Sequence, residues 1–389
     1  MKTTRKLYYI VVAFSFLLFA SPLKAQTQQP AQKQTEVLKP SAVMLDNILT
    51  KLKLKGRGAL AYLDSGDSGS YGHGTFEVPD LKLVFGFEPD ERNSFTVRFN
   101  LNNAIANTPL TDFVFLQCKD FIPSLRDTWF SISGRVGRFK LGVGEETFGN
   151  NAVEGILPSN SAANIDGSDE GVELSGKFWA ASVGNGNRGV GADVGDAKAW
   201  MTKVFYSPLK ALYLSATYYD SGELKNASSE VSVAGIIAPV ANTLHWTRRV
   251  WEGDIRYDFK KGEKPLNPPA FSESSAFIRF AYGRFDDDMT LASSTSERNG
   301  HFGFGEVMVE LCKKIYTGAR VSFIDLDGSQ TASLNNVTTN HYERYSAGVG
   351  YRWSDNVHIK AGFDHNQNGG ASTTDTSDDL FSALLAIRL

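Results

Sequence analysis

The sequence predicts an all-β fold: a transmembrane antiparallel up-and-down β-barrel of about sixteen strands, with short periplasmic turns and long external loops. Three observations predict it. Sixteen short runs between Lys51 and Leu389 alternate apolar and polar residues, and a period of two places one residue set on each face of a strand. The links between the runs alternate long and short, as they do in barrels with both ends of the chain on the periplasmic side. No segment after the first 25 residues approaches the roughly 18 consecutive apolar residues that mark a transmembrane helix.

The N-terminus reads as an export signal. Lys2, Arg5 and Lys6 precede an apolar stretch from Tyr8 to Ala20, and Ser21-Pro-Leu-Lys-Ala25 ends in a small residue suited to cleavage. Residues 1–25 are therefore read as a signal peptide, 26–49 as a periplasmic linker and 50–389 as the barrel. Of the 40 basic and 43 acidic residues, cleavage removes four basic and no acidic ones, which takes the net charge from −3 to −7. That balance argues against a nucleic-acid partner. Cys118 and Cys312 lie far apart in unlike contexts; a disulfide between them is open to an exported protein, and two isolated thiols are the plainer reading.

The elements follow in order. The first strand, Lys51–Leu63, carries Leu52, Leu54, Leu60 and Tyr62 on one face and Lys51, Lys53, Lys55 and Arg57 on the other. The second, near 76–88, and the third, from Phe95, flank the turn Pro89-Asp-Glu-Arg-Asn93, rich in turn residues. A long link, 103–125, is expected next. Strands near 127–133 and 138–145 are then expected around a tight turn at Gly134-Arg-Val-Gly137. The Gly/Asn/Ser-rich link 147–167 follows. Its length and polarity allow it either to fold into the lumen and narrow it or to lie on the surface. Strands near 171–175, 178–183, 200–206, 211–219, 246–259 and 276–285 come next. A loop is expected over 286–300, then strands near 302–311, 317–324, 342–353 and 357–364. The last strand runs to Leu389, with Phe381, Ala383, Leu385 and Ile387 on one face. A barrel of sixteen strands is wide enough to enclose an aqueous channel.

Charge decides which face meets lipid. Tyr345, Ala347, Val349 and Tyr351 share a face opposite Arg344 and Arg352, and Ile359, Ala361 and Phe363 oppose Lys360 and Asp364. A charge facing lipid at the midplane costs about 2–4 kcal/mol, so the charged face lines the lumen. Followed strand by strand, this parity gives a predominantly basic lumen. The candidate pore-lining residues are Lys53, Lys55, Arg57, Arg98, Arg138, Lys140, Arg248, Arg256, Arg279, Arg320, Arg344, Arg352, Lys360 and Arg388. Fewer acids point inward: Asp80, Glu88, Glu145, Glu173, Glu252, Asp254, Glu306, Glu310 and Asp364. Basic groups along a pore lower the barrier to anions. The expected function is a water-filled diffusion channel for small hydrophilic solutes, with weak to moderate anion preference. Two alternatives stay open. One is a substrate-specific carbohydrate channel, with Tyr206, Tyr219 and Trp246 as a stacking track. The other is a loop-plugged structural or adhesive barrel without transport.

Two segments carry resemblances. Gly137-Arg-Phe-Lys-Leu-Gly-Val-Gly-Glu-Glu-Thr-Phe-Gly149 resembles the G-Q-F-K-x-P-F-G segment of the phosphate-selective porins of the O/P class and related porins. Arg138 stands where Gln is usual, and Gly142 and Val143 stand where Pro and an aromatic are common. Gly171-Val-Glu-Leu-Ser-Gly176 is similar to the same family. The resemblance implies a porin, commonly a homotrimer. It does not extend to phosphate as solute, because 147–167 contains no Lys or Arg. The terminal strand is similar to the signature read by the barrel assembly machinery, with Leu389 where Phe is most common. The expected partners are therefore outer-membrane lipid and lipopolysaccharide, the assembly machinery during insertion, and small anions or sugars as solutes.

No cofactor or catalytic pattern emerges. Gly184-Asn-Gly-Asn-Arg-Gly189 has dinucleotide-binding spacing but lacks the following helix that the motif needs. The six His are scattered without metal-binding spacing, and no G-x-S-x-G occurs. Asp325-Leu-Asp327 and Asp166-Gly-Ser-Asp169-Glu170 are acidic but lack the full calcium-loop pattern.

Overall fold

The computed structural model describes residues 50–66, 71–102, 110–126, 128–149, 151–188, 197–259, 275–328, 330–334, 337–369 and 379–388. The expected signal and linker lie outside the described residues.

The described residues form twenty strands: β1 (Leu52–Asp64), β2 (Thr75–Phe87), β3 (Asn93–Asn100), β4 (Thr111–Cys118), β5 (Ser133–Lys140), β6 (Ile165–Ser175), β7 (Trp179–Gly184), β8 (Ala199–Leu209), β9 (Leu212–Asp220), β10 (Leu224–Lys225), β11 (Val231–Val233), β12 (Thr243–Asp258), β13 (Ala276–Leu291), β14 (Thr295–Cys312), β15 (Ile315–Leu326), β16 (Ala332–Leu334), β17 (Val337–Thr339), β18 (His341–Ser354), β19 (Val357–Gly369) and β20 (Leu380–Arg388). Sixteen of them make an antiparallel wall. The short strands β10, β11, β16 and β17 belong to loops. The wall closes where β1 pairs with β20, from Arg57↔Arg388 to Asp64↔Phe381. Closure leaves no strand edge facing lipid, which is the condition for a sheet to cross a membrane.

The alternation sorts as expected. Val307 and Val309 face outward on β14, whereas Glu306 and Met308 are buried on the inside. Aromatic residues gather at two levels of the outer surface. Tyr257 packs on Phe259, and Tyr351 on Trp353, near the short turns. Trp200, Tyr218 and Trp251 stack in succession toward the long loops. Such girdles mark the two membrane interfaces.

Two expectations need correction. The fourth strand is not at 127–133 but at Thr111–Cys118, inside the stretch read as a long link. Residues 119–126 and 128–132 belong to the turn, with a single 3-10 turn at Pro123–Leu125. Gly134–Gly137 is then part of β5, not a turn. The run Phe113-Val-Phe-Leu116 is apolar on both faces because Phe113 lies under Arg98, 3.6 Å from its guanidinium. That contact removed the polar half of the alternation. The second correction concerns 286–300, which is strand rather than loop except for three residues at its tip. The acidic run there pairs across the sheet, with Asp287 opposite Arg248 and Asp286 opposite Arg249.

The girdles place Val307 near mid-membrane, paired with Ala319 and Ile278. Val307→Arg is expected to lower barrel stability by about 2–4 kcal/mol, measured as a shift in reversible urea unfolding in lipid vesicles. An unchanged midpoint would contradict the assignment of this face to lipid.

Candidate pore and its constriction

The site begins where β5 leaves the wall. Gly137 has φ +128°, and a Cβ there would lie 2.2 Å from the Val114 carbonyl. Glycine alone tolerates both the conformation and the approach. Beyond it the chain turns into the barrel. Leu141 to Thr147 are all buried, Glu146–Gly149 form one helical turn, and from Ile165 the chain comes back in β6, alongside β5 from Ser168 onward. The segment after β5 therefore lies inside the lumen, the first of its two expected placements.

Charge holds the segment against one side of the barrel. Glu145 pairs with Lys203 at 2.6 Å and accepts a hydrogen bond from the Tyr213 hydroxyl. Glu146 accepts from Arg320 at 3.1 Å, and Arg320 lies 3.3 Å from Glu306, which also binds Arg279 at 3.0 Å. Ser159 donates to Asp364 at 2.8 Å. The Lys360 ammonium is buried and donates to the carbonyls of Ala152, Val153 and Gly155. Arg388 pairs with Glu154 at 2.9 Å.

Apolar contacts complete the seat. Ile156 and Leu157 pack on Phe277, Met308 and Tyr316, and Val153 packs on Ala59, Ala61, Leu384 and Ala386. Gly318, Gly348 and Gly362 face each other across β15, β18 and β19. A Cβ on any of them would lie within 3 Å of Ile156, of the backbone and Leu157, or of Pro158, respectively.

A small sheet crosses the interior above this seat. The upper parts of β5 and β6 continue into β11, which pairs with β6 at Val231↔Gly167. One face, with Phe139, Leu141, Ile165, Val231 and Val233, joins a core that includes Met201, Tyr219, Val250, Phe285 and Ile324 of the wall, with Leu334 from β16. The other face is charged. Arg138 pairs with Glu170 at 2.7 Å and with Glu230 at 3.1 Å, and Lys140 pairs with Asp166 at 3.3 Å.

Opposite stands the inner face of β1–β4. Arg57 pairs with Asp80 at 2.6 Å, while Arg98 and Lys82 lie 2.7 and 3.5 Å from Asp112. Lys140 lies within electrostatic reach of Arg57 and Arg98, and Arg98 within reach of Asp166. The two charged surfaces therefore face each other across the lumen.

The fourteen basic residues expected along the pore thus fall into three groups. Arg57, Arg98, Arg138 and Lys140 meet on the two facing surfaces. Arg248, Arg256, Arg279, Arg320 and Lys360 are buried, four of them against Asp287, Asp258, Glu306 and Glu146 and Lys360 against backbone carbonyls. Nearer the ends, Lys53 lies 3.9 Å from Glu88 and Lys55 is exposed on β1. Arg352 pairs with Glu310 at 2.9 Å, Arg388 with Glu154, and Arg344 donates to the Asn160 carbonyl.

Sequence reasoning missed Lys203, although its parity with buried Met201 on β8 was a usable signal. It also missed Glu146, for which no periodic signal exists. Tyr206 packs on Phe178 outside the barrel, whereas Tyr219 and Trp246 are buried, so the three share no track. Gly184 ends an antiparallel strand, and Asn187 behind it bridges to Ser229; neither is the setting of a dinucleotide loop. Cys118 and Cys312 are both free thiols.

No family model and no curated protein sequence matches the chain. Solved structures do. The outer membrane channel DcaP of Acinetobacter baumannii superposes with TM-score 0.57 at 11% identity, covering 87% of this chain and 97% of that one. The anion-selective porin from Comamonas acidovorans gives 0.55 at 10% identity, over 87% and 98%. OmpT of Vibrio cholerae in its trimer form gives 0.54 at 11%, over 87% and 99%. At these identities the likeness is one of fold. The chain is an outer-membrane β-barrel with the porin fold.

Lys360→Met keeps the bulk but strips three carbonyls of their donor. The variant is expected to free the tip of the inserted segment, so that the backbone amides of 152–157 exchange with solvent deuterium about tenfold or more faster than in the parent, read by mass spectrometry on the folded barrel. Equal exchange would show that Lys360 is not what holds the tip.

Proposed function

We propose that the protein is a passive outer-membrane channel in which small hydrophilic solutes pass between the β1–β4 wall and the charged face of the inserted sheet. It carries out no chemistry. One contrast carries this reading. The side chains of Arg57, Lys82, Arg98 and Lys140 keep 17–26% exposure, whereas those of Arg248, Arg256, Arg279 and Arg320 keep 0–3%. Water reaches the inward-facing charge of β1–β3 and of the inserted sheet and does not reach these four arginines of β12, β13 and β15.

The charge along that path is nearly balanced. Lys53, Lys55, Arg57, Lys82, Arg98, Arg138 and Lys140 meet Asp80, Glu88, Asp112, Asp166, Glu170 and Glu230. We therefore propose a weak anion preference, set by Arg57, Lys82 and Arg98, with small anions and sugars as solutes. The description of one structural neighbour as anion-selective is in keeping with this. The trimer form of another supports a homotrimer. The proposal extends to residues 1–25 as a cleaved export signal and 26–49 as a periplasmic linker. It also includes contact with outer-membrane lipid and lipopolysaccharide and insertion by the barrel assembly machinery.

A second reading has its own observation. The apolar core inside the external half favours a barrel plugged by its loops. Planar-bilayer recording of the purified protein separates the two, because a channel gives discrete conductance steps and a plugged barrel gives none. In a salt gradient the parent is expected to show a small reversal potential of anion-selective sign. Lys82→Glu with Arg98→Glu should reverse that sign. A cation-selective parent would overturn the anion preference alone.

A further inference from the structure

Asp169 and Glu170 on β6 and Glu230 just before β11 each bring a carboxylate oxygen within 4.8 Å of the other two. Asp169 and Glu230 are buried. Arg138 donates to Glu170 and Glu230, while the carboxylate of Asp169 is held by the backbone amides of Asn185 and Gly186 at 3.1 and 2.9 Å. Three carboxylates against one guanidinium leave two negative charges, with Asp169 and Glu230 buried and Glu170 partly open to the lumen. Such charge is costly to bury without a counter-ion.

An independent observation points the same way. Tyr219 is 1% exposed and within electrostatic reach of Asp169 and Glu230. Ser229 stands beside it, yet its Oη makes no hydrogen bond of normal geometry. Asn187, one residue from the Gly186 amide that holds Asp169, also keeps a buried Oδ1 without a partner. Neutral oxygens left unbonded beside excess carboxylates are what a bound cation uses.

We infer that Asp169, Glu170 and Glu230 bind a divalent cation, calcium in preference to magnesium. The donors are all oxygen, which selects a hard cation. They come from two separate segments and form an irregular set, which suits calcium's flexible coordination better than magnesium's octahedron. One divalent ion together with Arg138 balances the three carboxylates. Bound there, the cation ties the loop that carries β11 to β6 and holds the inserted sheet across the lumen. This assignment does not depend on which solute passes.

Terbium, a luminescent stand-in for calcium excited through nearby aromatic side chains, tests it on full-length protein folded in detergent and stripped with EDTA. The expected result is a saturable signal that calcium displaces. Binding should weaken about tenfold or more in Glu230→Gln and stay unchanged in Glu343→Gln, an acid elsewhere in the barrel. No saturable signal, or equal binding in parent and Glu230→Gln, overturns the site, because terbium would then be reading scattered surface acids. If Glu230→Gln does not migrate as a heat-modifiable barrel, Glu170→Gln at its partly exposed position replaces it. The same loss of about tenfold or more is then required.

Discussion

The interior of this barrel depends on carrying charge into a confined space and meeting it there. The inserted segment after Leu141 buries Glu145 and Glu146 and sets Glu154, partly exposed, beside Arg388. The wall answers with Lys203, Arg320 and Arg388, and Lys360 caps three carbonyls of the same segment. A buried ion pair is weak evidence of net stability, but losing one partner is costly, about 3–5 kcal/mol. The network therefore acts mainly as a register. Arg320 reaches both Glu146 and Glu306 only when the segment lies in one position on β14 and β15. The three aligned glycines on β15, β18 and β19 leave room for it in that same position.

That seating makes the lumen asymmetric. Packing the segment against β12–β20 leaves Arg279, Arg320 and Lys360 buried and the β1–β4 wall wet. The inserted sheet of β5, β6 and β11 then presents its charged face to that wall, because its other face is apolar and has already found the core around Phe285 and Ile324. A lumen that looks basic when its strands are counted becomes nearly neutral along its open side. On the other side the inward positive charge is taken up by the wall's own Asp287, Asp258 and Glu306 and by the insertion.

The strand wall was legible because a membrane barrel repeats one constraint on every strand: apolar toward lipid, polar toward water. The constraint fails locally for identifiable reasons. At Phe113 an arginine stacks on an aromatic inside the barrel, so the strand is apolar on both faces and reads as a link. At Asp286-Asp287-Asp288 a run of acids imitates a loop, but Arg248 and Arg298 bind Asp287 and hold the run in the sheet. Lys203 followed the parity of its strand and was readable in principle. Glu146 followed none.

By itself the sequence determined the strand period, the even strand number, the face that meets lipid and the inward side of most charges. The strand number follows from counting the runs, and each of the others is a relation between a residue and its neighbours two positions away. Only the tertiary structure decided which inward charges meet water. Arg98 and Arg279 look alike on their strands, yet Arg98 stays accessible while Arg279 is sealed against Glu306. The difference lies in a segment more than 100 residues before Arg279, placed by contacts that no periodicity encodes.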